Sequence, residues 1–272
     1  MGRRKVMMID EYQPTAADDY KDGMLTVLLS SWDGFSDALA KFEPYKDYYI
    51  WRGQSQDKPL LSSFDRLYPT NRRDRNEVLK RHLDNFREKM QQCHPQVPLS
   101  VDEDFVWAVG QHYRLVGPVL DWTRNPCIAA YFAFEEARVS EDNGFRCIYG
   151  LNRSIRRLMI KWKRGGVESR ERSARTEDLP PGLLPLFRAQ EAVFTKAERG
   201  RSIEETVRAW SRKRGREITL VKIRIPGSER RRFLDELKHR EIDYGKLLLV
   251  LSDATCECNR DLKRSQQSGG CA

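Results

Sequence analysis

The stretch that most constrains the fold is PCIAAYFAFEEAR, which begins at Pro126. Pro126 suits the first position of a helix, where its missing N–H costs nothing, and Asn125 before it suits the cap. The helix predicted here runs to about Arg138, and Ile128, Ala129, Tyr131, Phe132 and Phe134 surround much of its circumference. Such a helix has no broad face to give to water. It belongs at the centre of a core, with other elements wrapped about it.

Candidates for those elements lie on both sides. Upstream, LTVLLSSWDGFSDALAKF (25–42) reads as a short apolar segment followed by a helix carrying Trp32, Phe35, Leu39 and Phe42. Tyr48, Tyr49, Ile50 and Trp51 read as a strand, because aromatic and β-branched side chains fit a half-buried pleated surface. Residues 76–92 set Leu79, Leu83, Phe86 and Met90 at helical spacing. A break with two prolines at 93–98 separates them from a second helix over 101–115, which carries Phe105, Trp107, Val109 and His112. Downstream, 144–152 and 217–225 read as strands, and Ser202 with Glu205 forms a capping box for the helix IEETVRAWSRK. Ser228 opens a further helix through Leu237, and 246–251 is a last apolar element.

Strands and helices without a regular βαβ rhythm predict an α+β fold: a single mixed domain with a small central sheet and several packed amphipathic helices. The expected limits are a poorly structured lead-in over 1–24, a domain over 25–262 with a basic loop insertion at about 163–185, and a flexible tail over 263–272.

Composition narrows the class. Of 272 residues, 33% are charged and 39% apolar, and no run approaches the roughly 20 apolar residues that span a bilayer. The basic start lacks the apolar core of a secretory signal. Six scattered cysteines do not form a disulfide framework, and Cys256 with Cys258 lacks a second ligand pair at zinc spacing. A cytoplasmic protein without a metal is expected. The net charge of +9 is regional: residues 152–232 hold 23 Lys and Arg against 10 Asp and Glu. A basic lobe of that kind attracts nucleic acid, a phosphorylated ligand or an acidic protein, and equally describes a solvated arginine-rich surface.

Three clusters set charged or amide groups beside large aromatics. They are Trp51-Arg52-Gly53-Gln54, then Gln111-His112 with Asp121-Trp122-Thr123, then Arg188-Ala189-Gln190 with Phe194-Thr195. Two uses fit them. Buried polar groups need partners, so the clusters can satisfy one another, with Asp121 capping the next helix or pairing with Arg52. Alternatively Arg52, a permanently charged fork at a strand end, grips an anion while Gly53 allows close approach to the backbone. There is no P-loop, HExxH, GxGxxG or GxSxG motif, and no C2H2 or RNP-like signature.

In order and spacing, YIWRGQ, LLSSFDR, GQHYRLVGPVLDWTRNPCIAAYFAFE, RAQEAVFT and FLDELKHREIDYGKLLLVLSD resemble the segments of the FRG domain. This family is named for its Phe-Arg-Gly motif and is found widely in bacteria and phages. The resemblance covers roughly residues 30–262 and departs in two places. Val116-Gly117-Pro118 stands where the family commonly has Pro-Thr-Arg, and Glu191-Ala192 where a Gly often follows Gln.

The early Arg-Gly also looks like the first motif of arginine-type ADP-ribosyltransferases, in which the Arg contacts NAD phosphates. Ser62-Ser63 and Glu191 are the stand-ins for that class's other two motifs. The analogy implies an effector of toxin or phage-defence type that binds NAD or another phosphorylated ligand. Its catalytic candidates are His112, Asp121 and Glu191, and its ligand-binding candidates are Trp51, Arg52, Gly53, Gln54, Gln111, Trp122, Thr123 and Gln190. The alternative is a non-enzymatic module that binds nucleic acid or an acidic protein through the basic 152–232 region.

Overall fold

The computed structural model describes residues 6–68, 73–93, 103–112, 114–136, 144–155, 163–164, 167–168, 190–196, 200–212 and 215–247. The first half contains α1 (Ile9–Tyr12), β1 (Asp19–Lys21), β2 (Met24–Leu28), α2 (Trp32–Phe42), β3 (Tyr49–Gln54), α3 (Ser63–Leu67), α4 (Arg75–Cys93) and α5 (Glu103–His112). Then follow β4 (Val119–Thr123), α6 (Pro126–Phe134), β5 (Phe145–Asn152), the short pair β6 (Lys163–Arg164) and β7 (Val167–Glu168), and β8 (Ala192–Lys196). The described chain closes with α7 (Ile203–Ser211), β9 (Leu220–Pro226), α8 (Arg230–His239) and α9 (Tyr244–Leu247).

Seven strands make one mixed sheet in the order β1-β2-β9-β5-β3-β4-β8. β2 and β9 pair in parallel, and the other neighbours pair antiparallel. With helices packed on both faces this is the α+β arrangement the sequence predicts. Alternation along the strands assigns the faces. Tyr49, Trp51, Ile148, Val221, Ile223 and Ile225 join α2, α6 and α8 in the largest core cluster. Ile50, Cys147, Tyr149, Leu151 and Leu220 point the other way, onto Leu60 and the α7 residues Ile203 and Val207. A third cluster seats α4 and α5 on β4 and β8 through Trp107, Val109, Val119 and Phe194.

The apolar helix is central, as its composition demands. In α6, Ile128, Ala129, Ala130, Tyr131, Ala133 and Phe134 are all buried, and each large side chain removed from water contributes about 1.5–3 kcal/mol. Asn125 Oδ1 accepts the Cys127 N–H at 2.9 Å, so the predicted cap is real. The helix ends at Phe134, short of Arg138. There Arg146 Nη1 donates to the carbonyls of Ala133 (2.9 Å) and Glu136 (2.8 Å), and Arg230 Nη2 donates to that of Glu135 (3.0 Å). Two cations thus satisfy the orphan carbonyls at the negative end of the helix dipole.

Several expectations need correction. Residues 6–24 are not a loose lead-in: Met7, Ile9 and Tyr12 are buried in the main core, and Met7 O accepts the Ile218 N–H at 2.8 Å. β1, β4 and β8 are strands that sequence reading left unassigned. β9 starts at Leu220 rather than at 217, and Ser228 lies in a 3-10 turn before α8 instead of capping it. The break after Cys93, most of the 163–185 insertion, the Cys256/Cys258 pair and the 263–272 tail lie outside the described residues.

Candidate functional site

β3 lies between β5 and β4, but unequally. It pairs with β5 along its whole length, from Tyr49 to Gln54. With β4 it pairs at one position, Trp51 opposite Thr123, while β4 pairs fully with β8. The sheet therefore forks just past Trp51, and Arg52 is the next residue. Its Nη1 donates to the Asp121 carbonyl oxygen at 2.7 Å and to Asp121 Oδ1 at 2.6 Å. The guanidinium supplies from a side chain what a continued ladder would have supplied from the backbone.

Gln111, near the end of α5, donates from Nε2 to the same Oδ1 at 3.1 Å. Among the described residues no hydrogen bond reaches Asp121 Oδ2. The Asp121 side chain retains 52% of its accessible surface, against 17% for Arg52. Burial pushes the Asp121 carboxyl upward, but the Arg52 charge and hydrogen bond override it and hold it below the usual carboxylate value. The result is an ionised carboxylate with one oxygen fixed by two N–H donors and a second oxygen that no hydrogen bond among the described residues engages. Arg52 Nε and Gln111 Oε1, a donor and an acceptor, are buried, and among the described residues neither has a partner.

A second guanidinium shares this corner. Ser62 caps α3, its Oγ accepting the Asp65 N–H at 3.0 Å. The Phe64 N–H donates to Gly117 O at 3.1 Å, which ties α3 to the approach to β4. Arg66 in the last turn donates from Nη1 to Leu61 O at 2.6 Å. Burial lowers its pKa and the nearby Arg52 charge lowers it further, with Asp65 and Asp121 opposing.

The other predicted site residues separate into distinct roles. Trp51 is buried in the main core beneath α6. Gly53 carries α6 itself: a Cβ there would overlap the carbonyl oxygen of Ala129 and the nitrogen of Ala133. The close approach expected of Gly53 is made by a helix backbone. Gln54 Nε2 donates to the carbonyls of Gln56 (2.9 Å) and Lys58 (2.7 Å), fastening the loop that follows β3.

Trp122 Nε1 donates to Thr195 Oγ1 at 2.8 Å in the interior, and Thr123 Oγ1 accepts the Asn125 N–H at 3.1 Å. Gln190 Nε2 donates to Leu247 O at 3.0 Å rather than to Arg52, Gln111 or Asp121. Glu191 is exposed at the turn before β8, with a positive φ of 47° and no side-chain hydrogen bond to the corner. Ser62 and Ser63 have structural uses; Ser63 Oγ accepts the Gly117 N–H at 2.9 Å and donates to Gly117 O at 3.2 Å. The side chain of His112 lies outside the described residues. Of the eleven candidates, Arg52, Gln111 and Asp121 meet.

Sequence reading missed a polar strip on the α7 side of the sheet. Lys222 and Arg224, alternate residues of β9, both clasp Asp57, with Arg224 Nε 2.8 Å from Oδ2. Tyr149 Oη donates to Lys58 O at 3.2 Å. Glu204 is buried and accepts the Leu60 N–H at 3.1 and 3.0 Å through its two oxygens. The alternation of Lys222 and Arg224 in VKIRI was the signal available. Nothing local marked Glu204, which looks like any acidic residue in a first helical turn.

Part of the described basic region is engaged in ion pairs. Lys196 sits on Asp104, Arg216 on Asp10, Lys222 and Arg224 on Asp57, and Arg232 on Asp33. Among the described residues no cluster of His, Cys, Asp or Glu is placed to hold a metal ion, and no helix is long and apolar enough to cross a membrane.

Residues 47–142 match the family model of the FRG domain, a span that runs from the start of β3 past the end of α6. No curated protein and no solved structure matches the chain.

Proposed function

The chain carries an FRG domain, and from the corner that this domain builds we propose that it binds a nucleotide-class ligand, with NAD the first to test. The observation that carries this reading is Asp121. A half-exposed carboxylate at a fork in a sheet, kept ionised and oriented by Arg52 and Gln111 with Oδ2 open, is a ready acceptor for ligand hydroxyls such as those of a ribose.

The reaction we assign to such a site is ADP-ribosyl transfer, in an effector of toxin or phage-defence type. The bond from C1 of the nicotinamide-bearing ribose breaks, nicotinamide leaves with the electron pair, and a nucleophile adds to C1. Asp121 steadies the positive charge that develops on the ribose between the two events. Asp121 is preferred to Glu191 for this role because it stands at the fork beside Arg52.

The test is a thermal-shift titration with NAD, ADP-ribose and ATP on wild type and Asp121→Asn. Ligand at a hundred times its Kd stabilises the native state by ~2.7 kcal/mol. A shift with NAD that the variant loses supports the reading. No shift with any of the three overturns it and directs attention to salt-dependent nucleic-acid binding through the 152–232 region.

A further inference from the structure

We propose that Arg66, not Arg52, is the guanidinium that receives a phosphate of the ligand at this corner, while Arg52 acts as a positioning residue for Asp121. The proposal rests on the nucleotide reading above and assigns a residue to its phosphate.

Arg52 is poorly placed for an incoming anion. Its Nη1 is engaged twice by Asp121, its Nε is enclosed, and a carboxylate oxygen stands 2.6 Å from it. A phosphate that approached Arg52 would meet the open Oδ2 of Asp121, a like charge at close range. Displacing Asp121 instead would break the bonds that hold β3 and β4 together at the fork.

Arg66 has the opposite properties. It is exposed, and among the described residues no carboxylate comes within ion-pair distance of it. Its bond to Leu61 O holds the side chain, and no other described residue occupies the rest of the planar fork, the geometry that matches phosphate oxygens. Its neighbour Asp65 is committed elsewhere: Oδ2 accepts the Ser62 hydroxyl at 2.6 Å and Oδ1 pairs with Arg75. Asp65 and Asp121 act on the Arg66 charge, but neither forms a direct ion pair with it among the described residues. The Phe64 N–H and the Ser63 hydroxyl tie α3 to Gly117, two residues before β4, and the charges of Arg52 and Asp121 reach Arg66 in the last turn of that helix, so a ligand whose sugar reaches Asp121 presents its phosphate on the α3 side.

The experiment is calorimetric titration of wild type, Arg66→Gln and Arg66→Lys with two probes, ADP-ribose and phosphate-free adenosine, at low and high salt. Arg66→Gln is expected to weaken ADP-ribose binding by about tenfold or more, to abolish its salt dependence, and to leave adenosine binding unchanged. Arg66→Lys, which keeps the charge but loses the fork, is expected to fall between. If wild type binds ADP-ribose and Arg66→Gln binds it equally well, this assignment is overturned while the nucleotide reading stands. If wild type binds neither probe, both fall together. A matched midpoint of thermal unfolding in the three proteins separates lost binding from lost fold.

Discussion

Arg52 Nη1 donates at once to the backbone carbonyl and to the side-chain Oδ1 of Asp121, at 2.7 and 2.6 Å. One nitrogen thereby fixes both where β4 lies and which way its carboxylate turns. Arg52→Ala removes the tie across the fork and leaves Asp121 without its countercharge. The expected loss is about 1–3 kcal/mol of stability in denaturant unfolding, the range for a hydrogen bond to a charged group. The Asp121 carboxyl, which Arg52 holds below its ordinary 3.8, should titrate higher in the variant. Side-chain carboxyl NMR reads this directly, and an unmoved titration would show that Asp121 owes its ionisation to something else.

Gly53 tests a different part of the same motif. An added methyl would run into backbone atoms of α6 at Ala129 and Ala133, which cannot rotate aside as a side-chain tip can. Gly53→Ala should cost about 3 kcal/mol, the upper end for overpacking a core, and lower the thermal midpoint with or without ligand. A variant as stable as wild type would mean that α6 can lift off β3 cheaply.

The clasp on Asp57 predicts acid sensitivity. Burial pushes this carboxyl up, but Lys222 and Arg224 override it and bring it below 3.8. A depressed carboxylate adds stability at pH values above its unfolded value and loses it as pH falls through the folded one. Asp57→Asn should therefore cost about 1–2 kcal/mol at neutral pH. The gap from wild type should narrow once the pH drops below 3.8. A gap independent of pH would remove the charge from the explanation.

Glu204 predicts the reverse trend. Burial raises its carboxyl above the ordinary 4.5, so its favourable contribution is present below that value and is lost as pH rises through the folded pKa. Glu204→Gln keeps an acceptor for the Leu60 N–H without a buried charge, and should equal or exceed wild-type stability at neutral pH. Glu204→Ala leaves that N–H without its acceptor and should cost about 1–3 kcal/mol. Equal losses in the two variants would contradict this account.

Where local chemistry decides the structure, sequence reading found it. The Asn125–Pro126 start of α6 and the Ser202–Glu205 capping box each follow from residue types at short spacing, whereas the pairing of Arg52 with Asp121 was one of two uses left open for that carboxylate. β4 and β8 escaped because each has five residues and is a strand by virtue of what pairs with it. Met7, Ile9 and Tyr12 escaped because their burial depends on residues near Ile218, far along the chain. The site divided along the same line. Trp51, Trp122 and Thr123 belong to the core and its caps, whereas the corner needs α5, β3 and β4 to meet, a tertiary fact that no window of sequence contains.

The strand order has a consequence for how the molecule is made. β5 and β9 fill the middle of the sheet, and neither lies within the 47–142 stretch that carries the family motif. During synthesis Arg52 and Asp121 emerge well before the strands that lock β3 in place, and β2 waits longest of all for its parallel partner. Long-range pairings of this kind form slowly. Until they form, the motif strand is an open edge, exposed to any other strand that can add to it. The segment by which the family is recognised thus depends on strands outside it, and a fragment cut to those limits would display Arg52 on a raw β-edge with its central neighbours missing.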